Sequence, residues 1–149
     1  MIPATDTGHY FTGVMPEDIS LYWDDLCRLI EKPLKKTDAD KYYTPDDVLW
    51  KCVNKDWQCW ISWHDKQIDC VFITFIQEYP TGYRSFVIYL VGGERINDWL
   101  SQAWSVFKDY AKANGCGEIV GMGREGWLRA LKKVETNPIE PLLRFSVRL

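Results

Sequence analysis

Apolar residues recur along this chain at two spacings, and the switches between them predict its elements. Ile19, Tyr22, Trp23, Leu26, Leu29 and Ile30 fall every three or four residues, which is one face of a helix. Pro16, Glu17 and Asp18 suit its first turn, and Pro33, lacking an amide, ends it. Residues 9–14 before it predict a short strand. Thr44, Pro45 and Asp47 form a helix start, with a cap, a first-turn proline and an acid three residues on. Val48, Leu49, Cys52 and Val53 follow on one face of a short second helix.

The spacing then changes to two. In residues 57–64, Trp57, Cys59, Ile61 and Trp63 face one way, and Gln58, Trp60, Ser62 and His64 the other. Residues 68–77 are almost continuously apolar, as in a strand covered on both faces. Residues 83–91 make a third run. Asp65-Lys66 and Pro80-Thr-Gly82 are short turns, so the three runs predict an antiparallel meander. The helical spacing returns in Trp99, Leu100, Ala103, Trp104, Phe107, Tyr110 and Ala111, behind a cap at Asn97 or Asp98 and before a stop at Gly115. Residues 118–122 predict a strand reached by a helical crossover, and residues 125–134 a short helix. Leu143, Phe145 and Val147 alternate with Arg144, Ser146 and Arg148 as a terminal strand would.

The chain has 149 residues, the size of a single domain spanning 1–149, and no repeat or internal boundary divides it. A net charge of −3 offers no electrostatic case for nucleic acid. No apolar run reaches membrane-spanning length, and no signal sequence opens the chain. The cysteines, 27, 52, 59, 70 and 116, are odd in number and sit in or beside apolar runs, which predicts reduced, mostly buried thiols and a cytoplasmic setting. Eight Trp and eight Tyr exceed what a core of this size needs, so some are expected to meet a protein partner. Trp60, His64, Trp23 and Trp50 are the candidates.

Gly121, Gly123 and Gly126 have the spacing of a dinucleotide loop, but only 23 residues follow and the strand before them comes after a meander. They are better explained by a tight strand-to-helix turn in which glycine permits close backbone approach. Gly92, Gly93, Glu94, Arg95 and Ile96 also join a strand to a helix start, where free amides and the helix dipole favour an anion. Arg95 adds positive charge there, whereas Glu94 and Asp98 add negative charge. Two histidines and scattered cysteines do not make a metal site. Cys59 faces away from His64, which argues against a Cys-His nucleophile pair. The remaining acids read as solvated or capping charges, and Lys132, Lys133, Arg144 and Arg148 as a solvated basic cluster.

The order of strand, two helices, three antiparallel strands, helix, strand, helix and strand resembles the GNAT N-acetyltransferase fold. It implies an α/β (α+β) fold with a mixed sheet, an antiparallel meander followed by a β-α-β crossover, and helices on both faces. Residues 104–119 and 123–131, with their Gly-Arg-x-Gly-Trp turn, resemble GNAT-like proteins encoded by tailed bacteriophages. The GNAT resemblance implies acetyl-CoA held between two central strands, with its pyrophosphate at 91–97. The family's Gln/Arg-x-x-Gly-x-Gly/Ala motif is absent there, and no Tyr follows Tyr110 to act as the usual acid. Glu78 or Glu94 is left as a possible base. The favoured expectation is a phage-encoded, non-catalytic virion-associated or assembly component, in a virion or the host cytoplasm, with a phage structural or host protein as partner. The alternatives are an acetyl-CoA-dependent N-acetyltransferase with a divergent loop and, less strongly, an inhibitor of a host defence protein.

Overall fold

A computed structural model describes residues 9–94, 96–122, 125–142 and 145–149. The strands are β1 (Tyr10–Val14), β2 (Gln58–His64), β3 (Gln67–Glu78), β4 (Arg84–Gly93) and β5 (Glu118–Gly121). The helices are α1 (Trp23–Lys36), α2 (Pro45–Val53), α3 (Ile96–Ala113) and α4 (Glu125–Leu131). One sheet holds the strands in the order β1-β2-β3-β4-β5. The first four are antiparallel neighbours, and β5 lies parallel to β4 because α3 carries the chain across.

The sheet separates two cores, with helices on each face. Cys59, Ile61, Val71, Ile73 and Leu90 pack against Leu26, Ile30 and Leu34 of α1 and Val48, Leu49 and Cys52 of α2. Trp60, Cys70, Phe72 and Phe86 pack against Trp99, Ala103, Phe107 and Ala111 of α3. Neighbouring residues of β3 thus enter opposite cores, as its unbroken apolar run predicts. The turns follow their chemistry. Asp65 and Lys66 both have positive φ, 48° and 65°, giving the two-residue turn whose twist suits a hairpin. Thr44 and Asp47 form the reciprocal capping box expected of them.

Four expectations need correction. Residues 16–22 form a separate 3-10 segment (Pro16–Tyr22), and α1 begins at Trp23. Helix α1 also continues through Pro33 to Lys36. Proline removes one helix bond and leaves the Leu29 carbonyl without its donor, and packing of Leu34 into the core offsets that loss. Helix α3 starts at Ile96, so Asn97 and Asp98 lie within its first turn, while Arg95 is outside the described residues. Finally, residues 145–149 form no strand and are exposed; Leu143 and Arg144 are outside the described residues. Alternation made this segment strand-like, but a strand needs a hydrogen-bonding neighbour, and among the described residues no strand pairs with it.

Candidate functional site

Strands β4 and β5 run together for four residue pairs. Their register spans Ser85 opposite Glu118 to Ile88 opposite Gly121. The Met122 amide still donates to the Ile88 carbonyl at 3.0 Å. Beyond that point β4 continues to Gly93 with no described strand on this side. On its other side, in the pairing with β3, Ile73 faces Leu90 but Thr74 faces Ile88. Tyr89 is therefore an extra residue, a bulge that bends β4 and increases its twist. On the β5 side, residues 90–92 of β4 have no described strand to pair with, and this stretch is the candidate gap. Side chains frame it. Tyr89 lies on the α1-α2 face, its ring 5.3 Å from Trp57, 5.8 Å from Phe75 and 6.2 Å from Tyr43.

The loop after β4 is pinned by its own backbone. A Cβ on Gly92 would lie 2.1 Å from the carbonyl oxygen of Leu29, the group that Pro33 leaves without a helix donor. A Cβ on Gly93 would lie 2.1 Å from the carbonyl of Asp69, and its φ of +129° is one that other residues rarely adopt. The close approach these glycines permit is to α1 and β3. The Glu94 amide donates to Asp69 O at 3.2 Å, and its carbonyl accepts from Trp99 Nε1 at 2.8 Å, tying the loop to α3. Amides in the first turn of a helix such as α3 have no intrahelical carbonyls to bond, which suits that end of the helix to an anion. A cleft of ≈ 440 Å³ beside this corner is lined by Arg28, Lys32 and Lys66 but also by Asp25, Asp69 and Glu94, so its side-chain charges balance.

Beneath the start of α3 lies a group that sequence reading did not foresee. His9 is buried, its Nε2 is 2.9 Å from Asp69 Oδ2 and 4.0 Å from Asp98 Oδ2, and its ring stacks on His64 at 4.7 Å. Asp69 is the extra residue of a second bulge, between the pairs Ser62–Cys70 and Trp63–Ile68. The cluster ties β1, β3 and α3 together at the corner that holds the loop. A lone acid inside the apolar run 68–77 was the signal that could have marked it.

The other named residues are scattered. Glu78 pairs with Arg84 at 3.5 Å, at the end of β4 far from the gap, and Glu94 sits past the loop's glycines. Trp60 is buried in the α3 core, with Nε1 donating to Thr74 Oγ1 at 2.9 Å, so it is no surface contact. His64 is partly covered by its stack, Trp23 is half-buried, and Trp50 is 56% exposed. The cysteines are all free. Burial pushes the Cys52 thiol up to about 12 and holds Cys59 and Cys70 well above their usual range. Burial, followed by the hydrogen bond to Asp46, raises Cys27 to about 11. Such thiols are poor nucleophiles. A Cβ at Gly121 or Gly126 would meet nothing within 4 Å, so these two glycines are not there for close approach; Gly123 and Arg124 lie outside the described residues. Among the described residues no cluster could hold a metal, and no helix is long and apolar enough to cross a membrane.

No family model and no curated protein matches the sequence. Solved structures do match. An aminoglycoside acetyltransferase from an uncultured soil metagenomic sample, in complex with sisomicin, shares 12% identity, with 97% of this chain and 98% of that one covered and a TM-score of 0.71. A predicted acetyltransferase with acetyl-CoA from Clostridium acetobutylicum shares 19%, with 93% and 96% covered and a TM-score of 0.67. A ribosomal-protein-alanine N-acetyltransferase from Brucella melitensis biovar Abortus 2308 shares 15%, with 95% and 99% covered and a TM-score of 0.64. The chain has the GNAT acetyltransferase fold, with a mixed sheet and helices on both faces.

Proposed function

We propose that this protein is an acetyl-CoA-dependent N-acetyltransferase that grips its cofactor mainly through main-chain groups. One observation carries the reading: β4 bulges at Tyr89 and runs on to Gly93, past its last described pairing with β5 at Ile88. Pantetheine contains two amides and is extended, so it can pair with such an edge as a short strand does. Its pyrophosphate would meet the amides at the start of α3, where the helix dipole favours negative charge. Of the residues named from sequence, Gly92 and Gly93 would shape this corner and Glu94 would fasten it, while the main chain of α3 from Ile96 would meet the phosphate. Neighbours of the same fold that are acetyltransferases, one of them an acetyl-CoA complex, support the reading.

A second reading, a non-catalytic GNAT-like component of a phage virion or its assembly, draws on exposed apolar side chains at Met15, Leu21, Tyr22 and Trp50. Its phage origin rests on the resemblance of residues 104–119 and 123–131. Calorimetric titration with acetyl-CoA separates the two. Gly93 is a poor place for a blocking mutation because any Cβ there strikes Asp69. Gly121 lies at the last described β4–β5 pair and has open space around it, so Gly121→Trp should fold normally and crowd the open edge of β4. The enzyme reading predicts saturable binding that weakens by more than tenfold in Gly121→Trp. Absence of binding in the parent protein would favour the interaction component.

A further inference from the structure

His9 is a buried titratable group with no part in the proposed grip on the cofactor. It stands one residue before β1, beneath the start of α3, and its side chain is 2% exposed. Three elements present titratable groups to it. Asp69, the bulge residue of β3, places Oδ2 2.9 Å from its Nε2. Asp98, in the first turn of α3, places Oδ2 4.0 Å from the same nitrogen. His64, at the end of β2, stacks on the ring and itself lies 3.4 Å from Asp65 of the hairpin turn. Two carboxylates thus converge on one imidazole nitrogen. One of them stands in the helix turn that the diphosphate of acetyl-CoA would approach, and Glu94, shortly before that helix, adds a further negative charge. The helix dipole favours an anion at this place, whereas the carboxylates oppose one.

We infer that His9, as the imidazolium, offsets Asp69 and Asp98 so that the diphosphate of acetyl-CoA can settle at the start of α3, which couples cofactor binding to the uptake of a proton. The inference rests on the cofactor site proposed above. With the ring neutral, the three side chains present two negative charges to an incoming diphosphate; with the ring protonated, they present one. The ring is buried, so salt and water screen its charge far less than they would that of a surface lysine. An anion that binds better beside the protonated ring must in turn favour protonation when it binds, since the coupling between two sites is reciprocal. Affinity for acetyl-CoA therefore falls as pH rises through about 5 to 8, the range in which histidine side chains change charge. His9 acts through Asp98 and the helix turn without touching the cofactor, so it is a positioning residue.

Calorimetric titration of acetyl-CoA into the intact protein at about pH 7, in buffers of different ionisation enthalpy, counts the protons taken up on binding. The phosphates of acetyl-CoA titrate in the same range, so the quantity to read is the difference between the parent and His9→Gln. The parent should take up more protons per cofactor than His9→Gln. It should also bind acetyl-CoA about fivefold or more tightly than that variant at the acid end of the range, with the difference shrinking toward the alkaline end. Adding Asp98→Asn to His9→Gln removes the uncompensated charge and should restore most of the lost affinity, a rescue that a merely structural histidine would not allow. Should His9→Gln fail to fold, Asp98→Asn alone serves as the reference, and it should take up fewer protons than the parent. Proton uptake equal in the parent and the reference variant would overturn the inference while leaving acetyl-CoA binding intact. So would an affinity lost in His9→Gln that Asp98→Asn does not restore. A parent protein that binds no acetyl-CoA would overturn both the inference and the cofactor site on which it rests.

Discussion

Glu135 accepts from Trp104 Nε1 at 2.5 Å, Lys108 Nζ at 3.1 Å and the Asn137 amide at 3.1 Å. The Trp104 bond, followed by the Lys108 bond, holds its carboxyl at about 2, below its ordinary 4.5. A lowered folded-state value means the contribution is present above about 4.5 and is lost as pH falls through about 2. Glu135→Gln should therefore melt below the parent at neutral pH, and thermal melts should show the difference closing between those two values. At another single position, Gly93→Ala must place a Cβ 2.1 Å from Asp69 O at a positive φ and should cost about 2–4 kcal/mol in chemical denaturation. Gly121→Ala meets open space and should stay within about 0.5 kcal/mol of the parent. In sequence these glycines look alike; only the backbone that approaches them differs.

Elements whose ends are written in local chemistry were legible. The Thr44–Asp47 box starts α2, and Thr44→Ala should cost about 1 kcal/mol of stability by denaturant titration. The same holds for the Asp65-Lys66 hairpin, and for the stripe of α3 whose Trp99, Phe107 and Ala111 all reach the core. Elements decided by tertiary contact were not. Pro33 is an end signal locally, yet α1 passes through it because Leu34 is buried and Gly92 takes the place beside the freed Leu29 carbonyl. Segment 145–149 alternates correctly and still forms no strand, since alternation does not supply a neighbour. The bulge at Tyr89 has no local signature at all, being an offset between two strands.

For the molecule as a whole, two cores on opposite faces of one sheet hold the site. The α3 core is centred on aromatic rings, with Phe72 5.0 Å from Trp99 and 5.1 Å from Phe107. Trp99→Ala should cost about 3–5 kcal/mol, and because Trp99 also holds the Glu94 carbonyl it should loosen the loop after β4. The order of elements made the fold readable from sequence and put the candidate loop between β4 and α3. The gap itself was not readable, because it is made of main chain. The central claim is that acetyl-CoA lies along the open edge of β4. Amide hydrogen exchange with and without acetyl-CoA tests it most directly. The account predicts slowed exchange confined to residues 89–92, the start of α3 and Met122. Unchanged exchange at those amides under saturating cofactor, or protection appearing elsewhere, would contradict it.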